Sequence, residues 1–500
     1  MLRRIQRLGG TLTLAALLVS CGDGGDASDP GELDRHVREW PAPNHDLEGT
    51  RAVDAEIDAG NVAELRPRWR FRIGARPRES GSLTANPIVL GDTVYVQDML
   101  SNVFALDRET GRPRWSVHFG HGTPGPNGLA AGYGRIYGAT DTTVFALDQE
   151  SGRRLWRRRI LTPVEQFVDV APVVANGLVY TSTVGFPPEG KGALYALDAQ
   201  SGGVRWKFVT IEKEWRYPRL AGGGGAWFPV SVDEDGLVYS GNSNPGPWGG
   251  TRQFPNGGMY PGPARWTNSL LVLAGDNGRL LWADQVTPHD VRDYDFQASP
   301  ILADVGDRKV VFGAGKAGRV IAWDRETRRR VWERKVGVHV KDAGSLPRTM
   351  TTVCPGLYGG VETPMAYADG RLFVPVVDLC VRGSAIGFEP LERIDVAARG
   401  TGRLAALDGA TGRLLWERRF ADPPFSCATV ANEIVFTATF DGWVYGLHVK
   451  DGRTLWRARM RAGINSCPAV ADDLLVIGAG TPHRAFSRPK LEVVAFGLPG

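Results

Sequence analysis

The sequence predicts an all-β protein built as an eight-bladed β-propeller, and three observations carry that expectation. Sixty-four glycines and thirty-three prolines are spread along the 500 residues, which calls for many short turns and therefore many short strands. A phrase of roughly forty residues recurs along the chain, the period of a four-stranded blade. Each recurrence ends in a tryptophan.

Taken in order, Val103-Phe104-Ala105-Leu106-Asp107 with Thr110-Gly111 leads to Trp115, and Val144-Phe145-Ala146-Leu147-Asp148 with Ser151-Gly152 leads to Trp156. Leu194-Tyr195-Ala196-Leu197-Asp198 with Ser201-Gly202 leads to Trp206, and Leu271-Val272-Leu273 with Asn277-Gly278 leads to Trp282. Val320-Ile321-Ala322-Trp323-Asp324 leads to Trp332, Leu404-Ala405-Ala406-Leu407-Asp408 with Thr411-Gly412 to Trp416, and Val444-Tyr445-Gly446-Leu447 with Asp451-Gly452 to Trp456. Two copies are imperfect, at Ala274 and at Arg328. Each copy reads as an apolar strand, an Asp-x-x-Thr/Ser-Gly turn whose glycine takes positive φ, and an outer strand ending in tryptophan.

An eighth tryptophan, Trp69 in Leu65-Arg66-Pro67-Arg68-Trp69, has no blade upstream of it. Residues 469–478 and 491–496 supply strands that lack an outer partner. The two chain ends are therefore expected to complete one blade together and close the ring, which removes exposed sheet edges. The eight tryptophans are expected at equivalent positions between adjacent blades. The longest departures from the period fall between Trp206 and Trp282 and between Trp332 and Trp416, the places to look for function.

Ahead of the repeats, Arg3, Arg4 and Arg7 precede a short apolar run at 12–19, the pattern of an export signal. Leu18-Val19-Ser20-Cys21 resembles a bacterial lipobox, in which Cys21 is acylated and the bond before it cut. The expected organisation is a signal peptide over 1–21, a flexible polar tether over 22–39 and a single propeller over 40–500, exported and held by its lipid at the cell envelope. No later run reaches the eighteen or so apolar residues of a membrane helix. The formal charge of +4 is small and the arginines are scattered, so nucleic acid is excluded as a partner. Of five cysteines, one is the lipid site and four remain for an oxidising compartment.

The repeats resemble those of the pyrroloquinoline quinone (PQQ) propellers, and from about Trp40 to the C-terminus the chain is similar to the quinoprotein alcohol dehydrogenases. Gly222-Gly223-Gly224-Gly225-Ala226-Trp227 resembles that family's glycine-rich stretch ending in the tryptophan that floors the quinone. Ser243-Asn244-Pro245-Gly246-Pro247-Trp248 resembles the segment whose asparagine binds the cofactor's metal. Thr287-Pro288-His289-Asp290-Val291-Arg292-Asp293-Tyr294-Asp295 resembles the catalytic signature. The resemblance implies Asp293 as the base that takes the alcohol proton, and Asp295 as the extra carboxylate of lanthanide-using members. It also implies Lys316, in Gly315-Lys316-Ala317-Gly318, as the basic residue over the quinone oxygens.

These residue types suit the implied chemistry. A hard cation (calcium or a lanthanide) held by Asn244, Asp293 and Asp295 polarises a quinone carbonyl, while a neighbouring carboxylate removes the substrate hydroxyl proton. The implied substrate is an alcohol, aldehyde or sugar. No Cys-x-x-Cys-His occurs, so no c-type haem is attached and a separate electron acceptor is needed. Trp227, Asn244, Asp293, Asp295 and Lys316 should converge at one mouth of the central channel. An empty site should then show at least one raised carboxyl pKa.

Departures from the family pattern cluster on cofactor contacts. Pro187 falls where the metal-binding glutamate belongs, with Glu189 two residues later. Thr84 stands for a glutamate, no arginine occurs near Asn127-Gly128-Leu129, Gly225 stands for a threonine, and Gly120-His121-Gly122-Thr123 lies where many members carry a vicinal cysteine pair. Two functions remain open: a dehydrogenase that draws on Glu189, Asp169 or Asp295 in place of lost ligands, and a degenerate, non-catalytic propeller that binds proteins at the envelope. The resemblance further implies a Cys354–Cys380 disulfide. Cys427 and Cys467 stand at matching places on consecutive inner strands, either as a second disulfide or as two buried thiols.

Overall fold

The computed structural model describes residues 38–74, 83–123, 125, 127–161, 166–186, 190–211, 221–259 and 262–499. Cys21, the tether through residue 37, and Pro187 with Glu189 lie outside the described residues.

Among the described residues the repeats form eight sheets, each with a four-stranded antiparallel core. The sheet of Trp115 runs in order through Ile88–Leu90, Thr93–Gln97, Val103–Asp107 and Pro113–Val117. The same order recurs in the sheets of Trp156, Trp206, Trp282, Trp332, Trp416 and Trp456. The eighth joins Ala469–Ala471, Leu474–Ala479 and Glu492–Gly497 to the N-terminal strand Arg66–Arg72, with Trp69 opposite Ala495. This is the sheet pattern of a β-propeller, and the chain ends share a sheet as expected.

Burial follows from the sequence of each strand. In third strands such as Val103–Asp107 the apolar residues are buried on both faces, because neighbouring sheets cover them. Outer strands such as Arg154–Arg159 expose four of their six residues, all arginine, so the open edge carries charge that discourages pairing with another chain.

The repeat tryptophans tie each sheet to the next. Trp69 Nε1 donates to the Arg108 carbonyl at 2.6 Å, and a Cβ added at Gly111 would lie 2.6 Å from the Trp69 ring. The same pairing joins Trp115 to Gly152, Trp156 to Gly202, Trp206 to Gly278, Trp332 to Gly412 and Trp416 to Gly452. The turn glycine thus supplies both positive φ and bare backbone for an indole to cover. In the imperfect copy Arg328 takes φ 60° in place of glycine, and Trp282 packs edge-on against Trp323 with centroids 6.4 Å apart. Trp69, Trp206 and Trp456 are buried, and the other five are half-buried.

Residues 40–56 form a connection that the repeats do not announce. Their backbone hydrogen-bonds in turn to Val89, Ala131, Val232, Leu302, Tyr367, Val430 and Asp472, touching seven of the eight sheets, six at their innermost strands and one at the turn that follows Ala469–Ala471. Arg51 is fully buried there, donating to the carbonyls of Pro43, Ala428 and Pro468 and to the side chains of Asn44 and Thr429. A buried guanidinium with its donors satisfied pins the segment to two sheets at once.

Both disulfides form. Cys354 and Cys380 have Cα atoms 4.5 Å apart, and Cys427 and Cys467 have Cα atoms 4.9 Å apart, so the second pair is bridged and not two free thiols.

Candidate functional site

Trp227, Asn244, Asp293, Asp295 and Lys316 line one cavity of about 560 Å³, together with Glu362. A cavity of about 730 Å³ near Tyr95, Trp115 and Tyr133 shares none of these residues. The two long insertions contribute as their length suggested. One supplies Trp227 and Asn244, and the other supplies Tyr358 and Glu362.

The floor is built by glycine. Gly222–Gly223 pairs with Pro245–Gly246, which sets the Trp227 and Asn244 segments side by side. A Cβ at Gly225, where φ is +91°, would sit 1.9 Å from the Thr183 carbonyl oxygen, so the threonine of the family pattern has no room here. Trp227 has ring centroids at 6.0 Å from Phe167 and 6.4 Å from Phe186, and its buried Nε1 has no hydrogen-bond partner.

The signature from Thr287 to Asp295 divides by alternation. Asp290 accepts the amides of Arg292 at 2.8 Å and Tyr294 at 2.7 Å, which locks the turn. Arg292 reaches the carbonyls of Lys341, Ala343 and Gly344, and the Tyr294 hydroxyl donates to the Pro355 carbonyl. Asp293 and Asp295, between and beyond these anchors, line the cavity. Asp293 adopts φ 65°, uncommon for a residue with a Cβ, and the anchored neighbours hold it there.

The two carboxylates share one cation. Lys316 Nζ lies 2.9 Å from Asp293 Oδ2 and 2.6 Å from Asp295 Oδ2. Asn244 closes the group, its Nδ2 donating to Asp293 Oδ1 at 2.6 Å and its amide to Asp295 Oδ1 at 2.7 Å. Burial raises the Asp293 pKa, with Asp295 adding to the effect and Lys316 opposing it. Burial works against the Lys316 charge as well, yet Asp293, Asp295 and Glu362 hold its pKa well above the usual value. One ammonium between two buried carboxylates stays charged, and Asp293 keeps its proton more tightly.

Glu362 was not singled out in the sequence, where it reads as one acidic residue in a loop. It is buried, accepts from Gln297 Nε2 at 2.8 Å, and has its Oε1 without a partner. Burial lifts its pKa to about 8. No local pattern announces it; only the fold brings it beside Asp295.

Several expectations are corrected. Asp169 is buried with neither carboxylate oxygen hydrogen-bonded, but it does not line the cavity, so it is no replacement ligand there. Residues 120–123 do not line it either, and Gly125 does. Thr84 and Asn127 do line it, so the missing glutamate and arginine leave short uncharged groups on the wall. Among the described lining residues Lys316 is the only cation.

Two carboxylates around a position already taken by an ammonium supply hard oxygen donors for a cation, although no three acidic, histidine or cysteine side chains cluster for a metal among the described residues, and Trp227 offers a flat surface with an open N–H for a planar quinone. The periphery is poorer, because a tricarboxylate finds one lysine and no arginine among the described lining residues.

The sheets and this cavity define an all-β propeller with an acidic and aromatic cavity. The family model described as "Glucose/ethanol/alcohol dehydrogenase, beta-propeller domain" matches residues 40–128 and 161–338, and the chain belongs to this PQQ propeller family. A model described as "Outer membrane protein assembly factor BamB" matches residues 356–495. The lanthanide-dependent methanol dehydrogenase of Methylacidiphilum fumariolicum is 26% identical, covering 87% of this chain and 83% of its own. The quinoprotein alcohol dehydrogenase PedH of Pseudomonas putida is 25% identical, covering 82% and 80%. Among solved structures, the quinohemoprotein alcohol dehydrogenase of Comamonas testosteroni superposes with TM-score 0.80 at 21% identity, covering 94% of this chain and 82% of that one. BamB of Moraxella catarrhalis gives 0.54 at 14% identity, covering 87% and 99%. At these identities the structural matches establish the propeller fold.

Proposed function

We propose that this chain is an exported, lipid-anchored oxidoreductase that oxidises an alcohol with PQQ and a calcium or lanthanide ion, on a closed eight-bladed ring. The single observation that carries the chemistry is one cation shared by Asp293 and Asp295, with Asn244 hydrogen-bonded to both carboxylates, in the cavity that Trp227 lines.

In this reading Trp227 floors the quinone, Asn244, Asp293 and Asp295 carry the metal, and Lys316 stands beside the quinone oxygens on the same cavity wall as Glu362. When bound, the metal and quinone supply an electrophilic carbonyl that accepts the electrons. Asp293 takes the hydroxyl proton, a task suited by a pKa raised above that of an ordinary carboxyl. Phe186 and Phe425 bound the cavity with apolar surface, which favours a small alcohol over a sugar. Electrons leave to a separate acceptor protein.

Ring closure is supported by the indoles. The chain of contacts from Trp69 through Trp416, with Trp282 linked through Trp323 in place of a turn glycine, passes from each sheet to the next, and Trp456 Nε1 reaches the Leu65 carbonyl beside the N-terminal strand at 3.3 Å. The anchor rests on Leu18-Val19-Ser20-Cys21 and the export signal before it. No described helix is long and apolar enough to cross a membrane.

A second reading is favoured by the match of residues 356–495 to the assembly-factor model and by the loss of cationic groups around the cavity. In it the propeller is a non-catalytic scaffold at the envelope. Titration of the purified protein with PQQ plus Ca²⁺ or La³⁺, followed by absorbance and by dye reduction with alcohols, aldehydes and sugars, separates the two. Dye-linked oxidation that Asp293→Asn abolishes, with the melting temperature nearly unchanged, supports the enzyme. Absence of both PQQ binding and oxidation leaves the scaffold.

A further inference from the structure

We propose that Lys316 is a two-position cation: its ammonium fills the site between Asp293 and Asp295 while no metal is bound, and moves to the unpartnered Oε1 of Glu362 when a metal ion enters. The inference rests on the metal reading above and adds how the site admits its ion.

Three observations carry it. The ammonium already bridges both carboxylates, at 2.9 and 2.6 Å, in the position a shared metal would take. A metal and an ammonium cannot occupy one gap, and side by side in a buried pocket they repel strongly. The lysine must therefore leave, yet a buried ammonium with no counter-charge is costly.

Glu362 offers the other position. Its Oε2 is held by Gln297, while Oε1 is buried without a partner on the wall of the same cavity. A buried carboxyl oxygen left unbonded is costly, so a state that satisfies it is favoured. Lys316 is placed to reach either side. Its amide donates to the Asp295 carbonyl at 2.9 Å, and a Cβ at Gly360 would lie 2.1 Å from the Lys316 carbonyl oxygen. Its backbone is wedged between the segment carrying Asp295 and the one carrying Glu362.

The two positions make opposite predictions for two substitutions. Lys316→Met removes the competitor and should tighten metal binding. Glu362→Gln removes the negative charge that receives the displaced ammonium and should weaken it, but only while Lys316 is present. This conditional effect separates a moving lysine from a general change of field, since two residues that act on one event couple in a double-mutant cycle.

The test is a titration of the full protein with Tb³⁺ alone, without quinone or substrate, read by terbium luminescence sensitised through the tryptophans. Asp295→Asn should abolish the signal and so place the ion. Lys316→Met should bind at least about tenfold tighter than wild type, and Glu362→Gln about threefold or more weaker, as expected for gaining or losing a nearby full charge. In the Lys316→Met background Glu362→Gln should change the affinity less than about twofold, the signature of full coupling. Melting curves of each variant establish that it is folded, and Lys316→Arg, which keeps the charge, should behave as wild type. Equal or weaker binding by Lys316→Met overturns the proposal, and so does a Glu362→Gln effect that survives without the lysine. Binding by all variants alike would sink only the two-position lysine, whereas no binding by any, Lys316→Met included, would sink the metal reading with it.

Discussion

Trp456 Nε1 donates to the carbonyl of Leu65 at 3.3 Å across 391 residues of sequence. The strand Arg66–Arg72 begins at the next residue, so the indole sits where the N-terminal strand enters the C-terminal sheet. The same indole lies edge-on to Phe496, the residue opposite Pro67 in that sheet.

Replacing this indole should loosen the junction that joins the chain ends. Trp456→Ala removes a buried side chain and should destabilise the protein by about 3 to 5 kcal/mol. Denaturant unfolding checks it. The equivalent change at half-buried Trp416 should cost less, so equal losses would contradict the burial difference.

The Cys427–Cys467 bridge closes a loop of forty residues between consecutive sheets. Loop-closure entropy sets its contribution at about 3 to 4 kcal/mol. Cys427→Ser with Cys467→Ser should lower stability by that order and leave the Cys354–Cys380 pair intact. Alkylation without reduction should leave all four of these cysteines unlabelled in wild type, by mass spectrometry.

Restoring the family threonine at Gly225 should not restore the family site. With φ at +91° and a carbonyl oxygen 1.9 Å from the added Cβ, Gly225→Thr must displace the floor beneath Trp227. A destabilisation of about 3 kcal/mol or more is expected from strain and overpacking together. Tryptophan fluorescence and melting temperature report it, and an unchanged melt would refute the contact.

Glu362 sets a pH dependence on the metal-free protein. Its pKa rises from an ordinary 4.5 to about 8 on folding, so the folded state binds this proton more tightly than the unfolded chain. Its stabilising effect is complete at low pH and is lost as the pH rises through that window. In EDTA, wild type should lose stability from about pH 5 to 8, and Glu362→Gln should flatten this part of the profile by a few kcal/mol. A profile identical in both proteins would remove the assignment.

The sheets were legible because each strand and turn is a local event. An apolar run, an Asp-x-x-Thr/Ser-Gly turn and a tryptophan are contiguous, and repetition exposes them without any knowledge of packing. The unpaired strands at the two chain ends likewise announced their shared sheet, since each end lacks what the other supplies. The convergence of Asn244, Asp293, Asp295 and Lys316 was legible only through resemblance, because nothing in spacing places residues 72 positions apart around one point. What the tertiary structure alone decided are the features whose meaning depends on distant backbone. Residues 40–56 look like a plain linker until seven sheets offer them hydrogen-bond partners. Gly225 reads as a lost threonine until the Thr183 carbonyl is seen to occupy the space of a side chain. Glu362 acquires its raised pKa only when burial and the nearby charges of Lys316 and Asp295 act on it, because a carboxyl takes its protonation from its surroundings and not from its neighbours in sequence.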